Sequence, residues 1–185
     1  MCATWPETAF HLMAKPASSV CNLECAYCFY REKQQYLSPG SARAMDDATL
    51  EEYVRQYIEA QDVPNIHFTW QGGEPTLRGL DFYRRAVALQ KKYARGKTIK
   101  NAIQTNATLL DDEWGAFLAE NDFLVGVSID GPPRLHNTYR FGRAHAPSHD
   151  RVLAGLEVIK RHGVRFNTLT CVTSKNADFP LKVYR

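Results

Sequence analysis

Three cysteines, Cys21, Cys25 and Cys28, lie within a stretch of eight residues. Thiols this close can converge on one inorganic centre if the loop wraps around it, so the spacing predicts a metal or iron–sulfur site. Iron–sulfur clusters are usually held by four cysteine thiolates. Three ligands would leave one iron of a cubane open, much as a catalytic zinc keeps one position for its substrate. The pattern therefore predicts chemistry at the cluster.

Other roles for these cysteines match the sequence less well. Buried free cysteines are common in cores, but the close spacing and the polar Asn22 and Glu24 between them do not suit one face of a strand or helix. A zinc site would need a fourth ligand from a Cys or His pair, and the only other thiols are Cys2 and Cys171. The small, odd number of cysteines argues against a disulfide framework and for a reducing compartment.

Length and composition indicate an ordinary globular domain. The 185 residues suffice for one domain with a sizeable core, and a hydrophobic share of 44% with a charged share of 23% is typical. The net charge of +3 is spread among interleaved charges, so no basic stripe indicates nucleic acid. The first residues do not show a basic region followed by a long apolar run, and no apolar stretch approaches membrane-spanning length. We expect a cytoplasmic protein, a single domain over 1–185, that binds neither nucleic acid nor membranes.

Alternating strand and helix patterns predict how the cysteine loop is positioned. Strands are predicted at 9–15, 65–70, 97–104, 123–129 and 164–172. Apolar residues at helical spacing predict helices at 47–60, at 80–94, after the capping residue Asp111, and at about 149–162, the last preceded by a long polar loop. This order predicts an α/β fold with a parallel, right-handed sheet, arranged as a partial (β/α) TIM-like barrel of about five β/α units.

The unusual segments all follow predicted strands. In a β/α barrel, catalytic residues lie on the loops after the strands, at the carboxyl rim. Such loops contain, in chain order, the cysteines, Gly72-Gly73-Glu74-Pro75, Thr105-Asn106, and Ser128 to Gly131. The glycine pair would let the backbone approach a ligand closely, although Gly and Pro are also plain turn residues. We expect all four loops to face one ligand.

The Cys-x3-Cys-x2-Cys spacing followed by Gly-Gly-Glu-Pro resembles the radical S-adenosylmethionine (SAM) superfamily. Further segments are similar to its anaerobic sulfatase-maturating enzymes, namely Lys15-Pro16, Cys28 to Tyr30, Gln104 to Leu109, Ser128 to Pro132, His136-Asn137, Arg140, His162 to Val164 and Phe166-Asn167. The resemblance implies a [4Fe–4S] cluster on Cys21, Cys25 and Cys28 whose fourth iron binds SAM. Reductive cleavage of SAM would give a 5′-deoxyadenosyl radical that takes hydrogen from Cβ of a sulfatase Cys or Ser. Loss of a further electron and proton would yield formylglycine.

The resemblance also implies residue roles. Tyr27 and Tyr30 would lie near the adenine and the cluster, and the Gly73 backbone would meet the SAM amino group. Ser128 would bond the ribose or the carboxylate, and Arg140 would pair with the carboxylate. The implied cofactor-binding set is Tyr27, Tyr30, Gln71, Gly72, Gly73, Glu74, Thr105, Asn106, Ser128 and Arg140.

Two residues near these motifs are expected to have no direct role. His136 either orders its loop or lies free at the surface. Cys171 is expected to pack as a small apolar residue in the fifth strand.

Members of the family that this sequence resembles are longer than this chain. They continue through a sixth β/α unit into a region with auxiliary clusters and a catalytic acid/base. We therefore expect an incomplete core whose catalytic residue is unknown. Expected partners are a sulfatase polypeptide and a reducing protein such as flavodoxin or ferredoxin. Two alternatives stay open, namely another peptide-modifying radical SAM maturase and a fragment that binds the cluster and SAM without turnover; the sequence does not choose Cys or Ser as the target.

Overall fold

The computed structural model describes residues 9–33 and 44–184, so Cys2 lies outside the described residues. Five parallel strands form one sheet in chain order, namely β1 (Met13–Ala14), β2 (Asn65–Trp70), β3 (Thr98–Thr105), β4 (Leu124–Ser128) and β5 (Arg165–Leu169). The helices are α1 (Phe29–Lys33), α2 (Asp47–Glu59), α3 (Leu80–Tyr93), α4 (Asp112–Glu120), α5 (Pro133–Tyr139), α6 (His149–Arg161) and α7 (Pro180–Tyr184). The predicted fold class, a partial TIM-like barrel of parallel β/α units, is confirmed.

The core lies between the helices and one face of the sheet. On β2, Ile66, Phe68 and Trp70 are buried while the alternating His67 is exposed, as a strand with one covered face requires. Three polar side chains on this side bond one another: Trp70 Nε1 donates to Asn101 Oδ1 at 2.9 Å, and the Asn101 and Gln90 side chains exchange two hydrogen bonds. The residues on the opposite face of the sheet are therefore available for the site.

The main helices begin and end where their sequences indicate. Asp46 caps α2 by accepting from Thr49 N, and Asp111 caps α4 by accepting from Trp114 N. Gly163 follows α6 with φ of +67°, a left-handed conformation that suits glycine after a helix. The bounds of α2, α3 and α6 differ from those predicted by one residue.

The first strand is much shorter than predicted. Only Met13 and Ala14 pair with β2, because Tyr57 of α2 and Gln61 just after that helix take up main-chain groups ahead of them. Tyr57 Oη donates to the Phe10 carbonyl oxygen and accepts from Leu12 N, and Gln61 bonds both main-chain groups of Phe10. These bonds replace the ladder that the strand pattern predicted.

Two further differences lie near the site. β5 ends at Leu169 rather than at residue 172, because the next residues turn toward β4: Thr170 Oγ1 donates to the Ile129 carbonyl and Cys171 N donates to Asp130. The predicted polar loop contains the helix α5, which begins behind a proline and buries only His136. A seven-residue helix with one buried side chain has no apolar periodicity to reveal it.

Candidate functional site

A cavity of about 300 Å³ lies at the carboxyl ends of the strands. Its walls come from the loops that follow β1, β2, β3 and β4, which confirms that these loops face one space. The predicted site residues on its lining are Cys21, Cys25, Tyr27, Cys28, Tyr30, Gln71, Gly72, Gly73, Glu74, Thr105, Asn106, Ser128 and Arg140. The structure thus brings every predicted site residue to one cavity.

The cysteine loop is held in shape by backbone hydrogen bonds to residues 139–141, where α5 ends. Glu24 N donates to the Phe141 carbonyl at 2.7 Å, and Ala26 N donates to the Tyr139 carbonyl at 2.8 Å. Leu23 anchors the loop as a buried side chain. The loop therefore depends on the segment that also carries Arg140.

Two of the three sulfur atoms, those of Cys21 and Cys25, lie in a poorly hydrated setting. Burial raises the pKa of the Cys21 thiol to about 11 and also raises the pKa of Cys25. Two N–H groups nevertheless point at the Cys21 sulfur, from Leu23 N at 3.4 Å and Asn106 Nδ2 at 3.8 Å. Such donors suit a thiolate. A bound cation would stabilise the negative charge of the thiolate, which burial disfavours.

Gly72 and Gly73 let two backbone segments approach closely. A Cβ on Gly73 would lie 2.1 Å from the Val20 carbonyl oxygen, and one on Gly72 would lie 2.6 Å from that of Ser18. Gly73 N donates to the Ser18 carbonyl at 2.9 Å, and Glu74 N donates to that of Val20 at 2.8 Å. The close approach is thus to the chain's own segment ahead of Cys21, and it fixes where the cysteine loop starts.

Glu74 connects the second loop to the third. Its carboxylate is buried and accepts four hydrogen bonds, from the N–H and hydroxyl of Thr76, the hydroxyl of Thr105 and the N–H of Asn106. Burial raises its pKa, with these hydrogen bonds opposing the shift. Although Glu74 borders the cavity, its oxygens position the β3 loop.

Asn106 links the β3 loop to the cysteine loop. Its Nδ2 donates to Asn22 Oδ1 at 2.9 Å, and its Oδ1 accepts from the N–H and hydroxyl of Thr108. Thr108 Oγ1 in turn accepts from Asn22 Nδ2 at 2.8 Å. The cysteine loop is therefore tied to the β3 loop as well as to residues 139–141.

On the far side of the cavity, Asp130 gathers three other segments. Its Oδ1 accepts from Cys171 N at 2.9 Å, and its Oδ2 accepts from the Tyr27 hydroxyl. Arg140 Nε lies 3.0 Å from the same Oδ2, an ion pair that is not aligned as a hydrogen bond, and the guanidinium also stacks over the Tyr27 ring at 5.4 Å. One buried carboxylate thereby positions two predicted site residues.

His136 orders its loop, the first of the two expectations for it. It is fully buried, and its Nδ1 accepts from Asp130 N at 3.2 Å. Its Nε2 therefore carries the proton and faces Ser148 Oγ at 3.0 Å, while that hydroxyl donates to the Arg140 carbonyl. Burial lowers the pKa of His136 to about 4, which keeps the ring neutral.

The expectation for Cys171 is wrong. It lies beyond the end of β5 and lines the cavity, because its N–H bonds Asp130 and draws the chain toward β4. Sequence reasoning also left two contributors out of the site, Gln104, whose Nε2 donates to Ser128 Oγ at 2.9 Å, and Asp130. Their place at strand ends was visible in the sequence, but their bonds depend on the spacing between strands.

Tyr30 and Gln71 complete the lining. Lys15 Nζ lies 5.2 Å from the centre of the Tyr30 ring, and the rings of Phe29 and Tyr30 have centroids 4.2 Å apart. Gln71 follows β2, and its N–H donates to the Ala14 carbonyl, extending the pairing of β1 with β2 by one bond.

These features define a class of β/α protein with a cofactor cavity at the carboxyl rim of a parallel sheet. The sequence profile described as the Radical SAM superfamily matches residues 16–178. The chain therefore belongs to the radical SAM superfamily.

Within the superfamily, the chain is similar to curated relatives that are named as anaerobic sulfatase-maturating enzymes. The chain is 48% identical over 174 residues to the serine-type anaerobic sulfatase-maturating enzyme of Bacteroides thetaiotaomicron, covering 94% of the chain and 42% of the relative. It is 42% identical over 175 residues to the cysteine-type enzyme of Clostridium perfringens, covering 94% and 47%. The chain spans about half the length of the curated relatives it matches.

Solved structures agree with this assignment. Native anSMEcpe with bound AdoMet superposes with a TM-score of 0.86 at 41% identity, covering 93% of this chain and 47% of that chain. The complex of anSMEcpe with AdoMet and the Cp18Cys peptide gives a TM-score of 0.85 at the same identity, covering 94% and 46%. SuiB of Streptococcus suis, at 19% identity and a TM-score of 0.66, covering 93% and 35%, shares the fold.

Superfamily membership implies a [4Fe–4S] cluster and SAM, and the cavity suits both. Three thiols and an arginine border one space, and N–H donors approach one of the thiol sulfurs, that of Cys21. Within residues 9–33 and 44–184, no three His, Cys, Asp or Glu side chains are grouped to hold a single metal ion. A cubane places irons and sulfides between its ligands, so its cysteines stand further apart than the ligands of one ion.

Proposed function

We propose that this chain forms the SAM-cleaving core of an anaerobic sulfatase-maturating enzyme, which converts a sulfatase Cys or Ser to formylglycine. One observation carries the proposal: Cys21, Cys25 and Cys28 share a cavity with Gly73 and Arg140, in a chain of the radical SAM superfamily. Relatives named as serine-type and as cysteine-type enzymes both support maturation without selecting the target.

In this proposal the three cysteines bind the cluster and the far side of the cavity binds SAM. The Gly73 backbone faces the SAM amino group, Arg140 faces the carboxylate, and Ser128 faces the carboxylate or the ribose. Tyr27 and Tyr30 border the adenine. The remaining predicted contacts are Gln71, Gly72, Glu74, Thr105 and Asn106. Of these, Glu74 acts by fixing the β3 loop, since its carboxylate is used by four internal bonds.

The bound cofactors would supply one-electron reductive cleavage of SAM and abstraction of one hydrogen atom from Cβ of the target residue. The residue must then lose one further electron and one proton. The electron goes to a one-electron acceptor such as another iron–sulfur centre. A serine becomes formylglycine directly, whereas a cysteine becomes a thioaldehyde that water hydrolyses with release of hydrogen sulfide. The chain's own residues keep SAM and the cluster in fixed positions relative to each other throughout the reaction.

The proposal includes partners and a compartment. The substrate is a sulfatase polypeptide, and the reductant is a small electron carrier such as flavodoxin or ferredoxin. The four described cysteines are free thiols, which supports a reducing cytoplasm. Over the described residues, no helix combines the length and apolarity that a membrane span requires.

Iron content after anaerobic reconstitution tests the cluster ligands. We expect about four irons per chain, as a cubane requires. Cys25→Ala should lose the brown chromophore and most of the iron. Cys171→Ala is the matched control, because this thiol borders the same cavity without being a predicted ligand, and it should keep the iron. Full iron in Cys25→Ala would contradict the ligand assignment.

Turnover tests the reaction itself. The reconstituted chain, given dithionite and SAM, should release 5′-deoxyadenosine, and a peptide with a sulfatase Cys or Ser motif should show the mass of formylglycine. Absence of 5′-deoxyadenosine from iron-loaded protein would rule out a radical enzyme and leave a binding fragment. Cleavage of SAM with a different peptide product would instead identify another peptide-modifying maturase.

A further inference from the structure

Gln104 and Gly126 face each other across β3 and β4. A Cβ on Gly126 would lie 2.1 Å from Gln104 Oε1 and 3.0 Å from its Cδ, so the Gln104 side chain occupies the space that the glycine leaves. Glycine inside a strand weakens the strand and often marks a close approach. Here it lets the Gln104 side chain lie across β4.

Lying across β4, Gln104 reaches Ser128. Its Nε2 donates to Ser128 Oγ at 2.9 Å, and both side chains line the cavity. A serine hydroxyl has one donor and two acceptor positions. Because Gln104 occupies an acceptor position, the hydroxyl proton of Ser128 is directed to another acceptor.

We propose that Gln104 is a positioning residue that holds the Ser128 hydroxyl as a donor to the SAM carboxylate, and that Gly126 is glycine to permit this. This inference rests on the proposed SAM site. A carboxylate only accepts hydrogen bonds, so it matches a hydroxyl held as a donor. Arg140 borders the same cavity and supplies the cation that such a group attracts.

SAM affinity tests the arrangement, measured by equilibrium dialysis on the iron-loaded chain without reductant. Gln104→Met keeps the bulk of the side chain but removes its donor, and should weaken binding about tenfold, as expected for one hydrogen bond to a charged group. Gly126→Ala should weaken binding to a similar extent by displacing Gln104. Unchanged affinity in Gln104→Met would overturn the proposal, even if Gly126→Ala fails to fold.

A double-mutant cycle separates positioning from direct contact. In a Ser128→Ala background, Gln104→Met should cost nothing further, because its effect passes through the Ser128 hydroxyl. An equal loss in both backgrounds would show that Gln104 contacts SAM itself and would refute the positioning role.

The failure of this inference can be told apart from failure of the proposed function. A wild-type chain that loads iron but does not bind SAM would refute the proposed function, and this inference with it. Wild-type binding with unchanged variants would refute the positioning role alone. Thermal unfolding of each variant checks that affinity changes do not reflect loss of fold.

Discussion

Two buried carboxylates, Glu74 and Asp130, organise opposite sides of the candidate cavity in different ways. Glu74 accepts only from backbone N–H groups and hydroxyls, and the loop around it is packed backbone to backbone through Gly72 and Gly73. Asp130 also accepts one backbone N–H, that of Cys171, but its other oxygen pairs with Arg140 and accepts from the Tyr27 hydroxyl. One side is therefore fixed by chain shape, and the other by side-chain charge.

This difference predicts that substitutions on the two sides of the cavity have different effects. Changes on the Glu74 side should mainly cost fold stability, because neighbouring backbone would have to move. Changes on the Asp130 side should cost ligand affinity as well as stability, because Arg140 and Tyr27 would lose their orientation while the strands stay paired. Variants on the two sides can test this contrast directly.

The largest effect is expected from Gly73→Ala. The new Cβ would lie 2.1 Å from the Val20 carbonyl oxygen and 2.6 Å from the Ser19 carbonyl carbon. Because these atoms are backbone, we expect a loss of about 3 kcal/mol in the free energy of unfolding, at the upper end for overpacking. Urea denaturation of the chain without iron measures it.

Gly96→Ala provides the control for that measurement. Its Cβ would meet nothing within 4 Å, although its φ is +82°. Only the left-handed backbone penalty of about 1 kcal/mol should appear. Equal losses in the two variants would show that close packing at Gly73 is not what fixes this side.

The sequence predicted the shape-fixed side better than the charge-fixed side. The Gly-Gly-Glu-Pro turn is contiguous, so its position after β2 could be read directly from the chain. The bonds of Asp130 join residues more than forty and more than one hundred positions apart, and no local pattern encodes them. The helix α5 was missed for a related reason, since it buries only His136.

The fold was predictable where each element carries its own signal. The strong apolar alternation of β2 and the capping residues Asp46 and Asp111 locate their elements within the sequence. The segment before β1 carries a strand pattern as well, but the side chains of Tyr57 and Gln61 bond the main chain of Phe10 and Leu12 there. These side chains compete for the main-chain groups that a neighbouring strand would bond, and they can do so only after α2 has packed in place.

A moderate effect is expected from Asp130→Asn. The neutral side chain would leave the largely buried Arg140 without its counter-charge, so we expect stability to fall by about 2 kcal/mol, below the roughly 3–5 kcal/mol of a fully buried pair because Arg140 is partly exposed. The affinity of the iron-loaded chain for SAM should fall about tenfold or more as Arg140 and Tyr27 lose their common partner. Equilibrium dialysis and urea denaturation measure the two quantities separately.

The surface pair of Asp122 with Arg165 offers a matched control. These side chains form an ion pair at 2.8 Å, but both are more than half exposed. Asp122→Asn should change stability by less than about 1 kcal/mol and should leave SAM affinity unchanged. Retained SAM affinity in Asp130→Asn would contradict a charge-based arrangement of this side.

The smallest effect concerns pH and His136. Burial lowers the pKa of this ring from 6.5 to about 4, so between these values the unfolded chain binds a proton that the folded chain does not. Stability must therefore rise with pH across this window and fall on acidification, by about 1 kcal/mol between pH 7 and pH 5.5 from this ring alone. His136→Gln removes that titration, and its stability should depend less steeply on pH than that of the wild type. Identical pH slopes in urea denaturation of the two proteins would mean that His136 is not held neutral, and that the network behind Arg140 is weaker than its hydrogen bonds indicate.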